Sequence, residues 1–387
     1  MLLRARHYAT GEIVDVCCEA GSIRSLQSPS ERAPDLEGGW IAPALFDLQI
    51  NGCDGYSFNS EQLTIEHARH IITTCHKHGI SQLCPTLITN SHHALRHGMT
   101  TLRRACEVDA AIARAVPALH LEGPYISAED GPRGAHPRQH VRPPNWDEFQ
   151  RLQEAAGGRI RLVTLAPEHE GALPFIERLV AAGVVVALGH TAASGARIRD
   201  AIAAGARLST HLGNGSHALL PRHDNYIWEQ LAADELWASI IGDGHHLPST
   251  VVKCFIRVKT PARSILTCDA SSLAGMPPGS YAVWDQQIDV LPEGKVVVAG
   301  TSYLAGSWAF TDLCIGNVLR WTGVTLAEAL DMAGARPREL LGLAPRLLEV
   351  DAPADVILFD WEPGHDLRIQ NVILAGKVVS SGMTAGV

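Results

Sequence analysis

The sequence predicts an α/β protein, a (β/α)8 barrel of the TIM type carrying a small β-sandwich module formed by the N- and C-terminal segments. Three observations lead there. Short apolar runs bounded by Gly, Pro or Asn recur through the middle of the chain, as parallel strands buried on both faces require. Segments with helical spacing separate them, long enough for right-handed crossovers. Four of the runs end in a residue with metal or acid–base chemistry, and a closed ring of parallel strands gathers all its C-terminal ends on one face.

A chain of 387 residues fits a barrel of roughly 250 to 300 residues plus a smaller module. Residues 1–42 alternate over short segments divided by Gly11 and Gly21 and by the loop Ser28–Pro34, which predicts the first part of the module. Residues 43–344 form the barrel. Its eight strands are expected at 42–51, 80–89, 115–123, 159–167, 184–191, 207–213, 237–243 and 264–270. Between them lie helices such as Ala172–Ala182, with Gly183 where a helix C-terminus wants a left-handed residue. The stretch 123–150, rich in Gly, Pro and Arg, is too long for a plain connection and reads as an active-site loop. Residues 273–304 start with a Gly/Pro cluster and continue in short alternating runs, the pattern of a β-hairpin excursion that serves as a lid. Residues 345–387 return to strand runs and complete the module.

Hydrophobic residues make up 46% of the chain and charged ones 19%, ordinary for a globular protein. A net charge of −9 and only 5% aromatics argue against nucleic acid, which needs basic clusters and stacking platforms. A small anionic ligand is still served by one or two local Arg. The nine cysteines contain no C-x-x-C pair, which suits a reduced chain. The N-terminus lacks the apolar core of a signal peptide, and no run reaches the ~18 apolar residues of a membrane span. The expectation is a cytoplasmic protein without a membrane partner.

The chemistry sits at the strand ends. Ala118–Glu122 delivers a carboxylate and stops at Gly123-Pro124; Val184–His190 and Leu208–His211 each deliver an imidazole; Ser264–Asp269 delivers a second carboxylate. Glu122, His190 and His211 are the donor set that zinc or a similar divalent ion takes when one position stays open for water. Asp269 is placed to move the water's proton. Taken singly, a strand-end His is more often a hydrogen-bonded structural residue, and a Glu before Gly-Pro a turn residue. Four of them at four strand ends favour the site. His67, His76, His78, His92, His93 and His97 fall on polar helical or loop segments and are expected to be solvated.

In order along the chain, Pro43-Ala-Leu-Phe-Asp-Leu-Gln-Ile-Asn-Gly-Cys-Asp-Gly55, His120-Leu-Glu-Gly-Pro124, Arg133-Gly-Ala-His-Pro137, Gly189-His-Thr191, Thr210-His-Leu-Gly-Asn214, Ile241-Gly-Asp-Gly-His-His246, Thr267-Cys-Asp-Ala270 and Leu304-Ala-Gly-Ser307 resemble the motifs of the N-acetylglucosamine-6-phosphate deacetylase family of the amidohydrolase superfamily. The resemblance implies one divalent metal ion, zinc, on Glu122, His190 and His211, with Asp269 as general acid/base and His136 polarising the acetyl carbonyl. It implies substrate contacts from Ala135, His136, Asn214, Gly215, Arg222, His246, Leu304, Ala305 and Gly306. It also implies a homodimer in which Arg222 reaches the phosphate in the neighbouring site. Where many relatives hold a second metal on His-x-His, this chain has Gln49 and Asn51. They read either as a vestigial second-metal position or as turn-forming residues. The segments Asn214–His217 and Leu219–Tyr226 depart from the family's pattern, so a phosphorylated, unphosphorylated or epimeric N-acetyl amino sugar all fit. Deamination, cyclic-amide hydrolysis and a non-enzymatic sugar-binding relative are the competing readings.

Overall fold

A computed structural model describes residues 1–283 and 286–381. Eight parallel strands form one sheet in sequence order: Leu45–Ile50, Ile80–Ile88, Leu119–Glu122, Ile160–Leu165, Val185–Leu188, Leu208–Ser209, Trp237–Ile241 and Ser264–Thr267. The first and last meet through a parallel bridge between Ile50 and Ala270, which brings the sheet round into a barrel. Every predicted strand is present, and most stop short of their predicted C-terminal ends. The sixth was expected over 207–213 and pairs only at Leu208 and Ser209. There the chain leaves the sheet because His211 has a left-handed backbone, φ 29°. The third begins at Leu119 because a helix, Ala110–Ala115, takes up the start of the predicted run.

The crossover helices follow their local signals. Thr64, Ser91, Asn145, Ser194 and Asn225 each accept a backbone N–H from the first turn that follows, satisfying donors that a helix start leaves free. The expected helix at 172–182 spans Ala172–Ala181, and Gly183 behind it has φ 75°.

Both ends of the chain share a seven-stranded sheet, ordered Lys377–Ser381, Arg368–Leu374, Val356–Asp360, Leu36–Pro43, Leu2–His7, Ile13–Glu19, Ser22–Gln27. It rolls over so that its edge at Ile23 exchanges backbone hydrogen bonds with Asp351 and Ala352. Leu3, Val16, Ile23, Ile41, Val356, Leu358 and Ile373 pack together inside. The excursion after the eighth strand is a three-stranded antiparallel sheet, Gly279–Val283, Gln286–Val290 and Val296–Val298. No helix among the described residues is long and apolar enough to cross a membrane, and all nine cysteines are free.

Candidate active site

A cavity of about 230 Å3 opens where the barrel strands end, and Glu122, His136, His190, His211, Asn214, Gly215, His246 and Asp269 line it. Three of these break the usual backbone rule. His190, His211 and Asp269 have φ of 51°, 29° and 53°, a region that non-glycine residues rarely occupy and that clusters at functional sites. Each turns its side chain inward at the point where its strand stops.

Glu122 and the two imidazoles converge. Oε1 of Glu122 lies 3.0 Å from Nε2 of His211 and 3.2 Å from Nε2 of His190, and those two nitrogens are 3.2 Å apart. Nδ1 of His190 donates to the Pro132 carbonyl at 2.9 Å. A carbonyl can only accept, so in the neutral ring the Nε2 lone pair faces the centre, the tautomer that metal ligation needs. Nδ1 of His211 is buried without a partner. Tetrahedral bonds of about 2.0–2.2 Å hold ligand atoms about 3.3–3.6 Å apart, a few tenths of an ångström wider than the separations here, so the donor set fits a divalent ion with a slight opening. Burial alone would raise the Glu122 carboxyl; His190 and His211 beside it hold it well below the usual carboxylate range. Burial works against charge on His211, yet Glu122 and Asp269 raise its pKa.

A third imidazole stands beside this centre. Glu122, His136 and His190 each present a donor atom within 4.8 Å of the others. Nδ1 of His136 is tied to the Thr89 hydroxyl at 2.8 Å. Burial, then the neighbouring His190, depresses its pKa strongly, so the ring is neutral. Arg133 shapes the loop that carries it, donating to the carbonyl of His136 at 2.7 Å. Gly215 is where only glycine fits: at φ 56°, a Cβ would come 2.6 Å from Nδ1 of His190.

Burial and then the charge of Glu122 push the Asp269 carboxyl up to about 6. A group poised near neutrality can both take and return a proton. Gln49 and Asn51 reach this pair: Nε2 of Gln49 is 3.0 Å from both Glu122 Oε1 and Asp269 Oδ1, and Nδ2 of Asn51 is 2.7 Å from Asp269 Oδ1.

The 123–150 stretch supplies Gly131, Gly134, Ala135 and His136 to the cavity, and the excursion supplies Ser302 through Gly306. Arg222 is exposed and does not line this chain's cavity. Of the six histidines expected to be solvated, only His93 is exposed. His76 has a buried, unpartnered Nε2, His78 stacks on Phe310 and His92 bonds to Glu148. These sit on helix faces that packing covers, which local polarity does not report. Two residues were missed. Thr89 holds His136, and Asp243 receives Nδ1 of His246 at 2.7 Å. Both are polar residues directly after an apolar strand run, the signal that found Glu122.

The amidohydrolase family profile matches residues 40–386. The human N-acetylglucosamine-6-phosphate deacetylase is 33% identical, over 89% of this chain and 84% of its own length. The N-acetylgalactosamine-6-phosphate deacetylase of Escherichia coli O157:H7 is 30% identical over 93% of both. A solved Mycobacterium smegmatis N-acetyl-D-glucosamine-6-phosphate deacetylase mutant, in complex with N-acetyl-D-glucosamine-6-phosphate, is 28% identical with a TM-score of 0.87, covering 98% of this chain and 99% of that one. With the profile spanning most of its length and its strand-end carboxylates and imidazoles converging as described, this chain belongs to the amidohydrolase family, among the N-acetyl amino-sugar-6-phosphate deacetylases.

Proposed function

We propose that this protein hydrolyses the acetamide of an N-acetyl amino sugar, with N-acetylglucosamine 6-phosphate as first substrate, releasing acetate and the free amine. The observation that carries the reading is the convergence of Glu122, His190 and His211 beside Asp269 in one cavity. Those three would hold the ion, and zinc suits their N/O donors. When bound, such an ion acts as a Lewis acid and lowers the pKa of a water toward ~7.

Asp269 takes a proton from the attacking water as the C–O bond forms. His136, neutral and anchored through Nδ1, presents Nε2 to the carbonyl oxygen. A Thr89 hydroxyl donating to Nδ1 leaves the ring's proton on Nε2, where it stabilises the developing oxyanion. Asp269 then gives its proton to the sugar nitrogen as the C–N bond breaks, so the leaving group departs as a neutral amine. Asp243 fixes His246 with one nitrogen turned from the carboxylate and available to a sugar hydroxyl. Leu304, Ala305 and Gly306 cover the sugar, together with Ala135, Asn214 and Gly215. The phosphate goes to Arg222 of a second copy in a homodimer, in keeping with that residue's exposure and its absence from its own cavity.

The E. coli relative favours one alternative, the galactosamine epimer. Acetate release measured with zinc-loaded protein on both N-acetylhexosamine 6-phosphates and their unphosphorylated forms tests the proposal. Turnover of one phosphorylated sugar ahead of its unphosphorylated form is expected. No acetate from any of the four defeats it.

A further inference from the structure

The two amides at the end of the first barrel strand place their donors with a bias that neither a lost metal site nor a simple turn explains. Asp269 has two carboxylate oxygens, and both side-chain donors reach the same one. Oδ1 receives Nδ2 of Asn51 at 2.7 Å and Nε2 of Gln49 at 3.0 Å. Among the described residues no hydrogen bond reaches Oδ2. A carboxylate only accepts, so each amide must present its NH2 here, and the orientation is set by chemistry. Asn51 keeps that orientation although its own Oδ1 is left buried without a partner. A residue serving only a turn would satisfy both ends of its amide. Gln49 uses its second N–H on Oε1 of Glu122, linking the ion's carboxylate to the proton-carrying one.

We infer that Gln49 and Asn51 are positioning residues for amide hydrolysis, pinning Oδ1 of Asp269 and leaving Oδ2 as the oxygen that exchanges the proton with water and the sugar nitrogen. Two donors on Oδ1 make it the less basic oxygen, so the proton resides on Oδ2. They also fix the carboxylate plane, and a small misplacement at the reacting atoms is costly. The position that binds a second ion in a two-metal arrangement thus acts here as a hydrogen-bonding clamp on the acid/base.

The inference rests on the deacetylase reading, and two kinds of measurement separate them. The first is a kinetic cycle with Asn51→Ala, Asp269→Asn and the double variant. Asn51→Ala lowers kcat about 10- to 100-fold with KM nearly unchanged and metal content equal to wild type. In the Asp269→Asn background the same change has no further effect, because it acts through the residue already replaced. Multiplying effects would overturn the inference, as would two ions per chain in the wild type. The second is the crystal structures of Asn51→Ala and Gln49→Met, where the Asp269 carboxylate is expected to rotate or split between conformers. A carboxylate unmoved in both sinks the clamp. If the wild type releases no acetate, the deacetylase reading falls, and those two structures still decide this one.

Discussion

Where the eight strands begin, the barrel interior is closed by Phe46, Leu48, Leu162, Leu208, Trp237 and Ile265, with Leu341 packed among them. Where the same strands stop, it holds Glu122, His190, His211 and Asp269 around a cavity. Alternate residues of a strand face the interior, so one short run supplies an apolar layer and, a few residues on, a polar side chain of the cavity. Leu162 of the fourth strand is fully buried; Thr164, also inward, already belongs to a polar chain with His120 and Thr210 beneath the site. The lesson is a division of labour: the closed end carries stability, and the open end carries chemistry at some cost to stability.

Four experiments test that division, in descending size of effect. Asp269→Asn at the open end should lower kcat about a thousandfold while metal content and the unfolding midpoint stay near wild type. A variant that unfolds, or keeps its activity, would place Asp269 on the stability side. At the closed end Leu162→Ala should cost about 3 kcal/mol in denaturant unfolding, with kcat and KM intact well below the midpoint. A changed kcat would mean the two ends are coupled. On the rim, Arg222→Ala should raise KM about tenfold for the phosphorylated sugar alone; an equal effect on both sugars removes Arg222 from phosphate binding.

The smallest effect lies outside both ends, at His76, half-buried on the helix Ile65–Lys77. Burial first, then the charge of Arg114, lowers its pKa from 6.5 to about 4. Between these values the unfolded chain binds the extra proton, so this group's contribution is complete above pH 6.5 and is lost as the pH falls to 4. His76→Gln should flatten the decline of the unfolding midpoint in that window. A decline as steep as in the wild type would show that His76 is solvated after all.

The barrel and the four strand-end residues were legible because both rest on local pattern: apolar runs of strand length, ended by a chemically distinctive residue. Thr89 and Asp243 obey the same rule and were passed over, since the hydrogen bonds that tie them to His136 and His246 are formed only in the folded chain. The roles of Gln49 and Asn51 were out of reach. Nothing in a sequence tells which oxygen of which carboxylate an amide will face. His76 failed for a tertiary reason: its helix packs against the strands Arg368–Leu374 and Lys377–Ser381, supplied by the far end of the chain.

The left-handed backbone at His190, His211 and Asp269 has an evolutionary consequence. Each such residue carries strain on the order of 1 kcal/mol that glycine would relieve. Replacements there that strengthen the scaffold discard the reacting groups, so a library screened for heat tolerance alone would drift toward well-folded, inert descendants. Any engineering of this barrel must therefore select on turnover at every round.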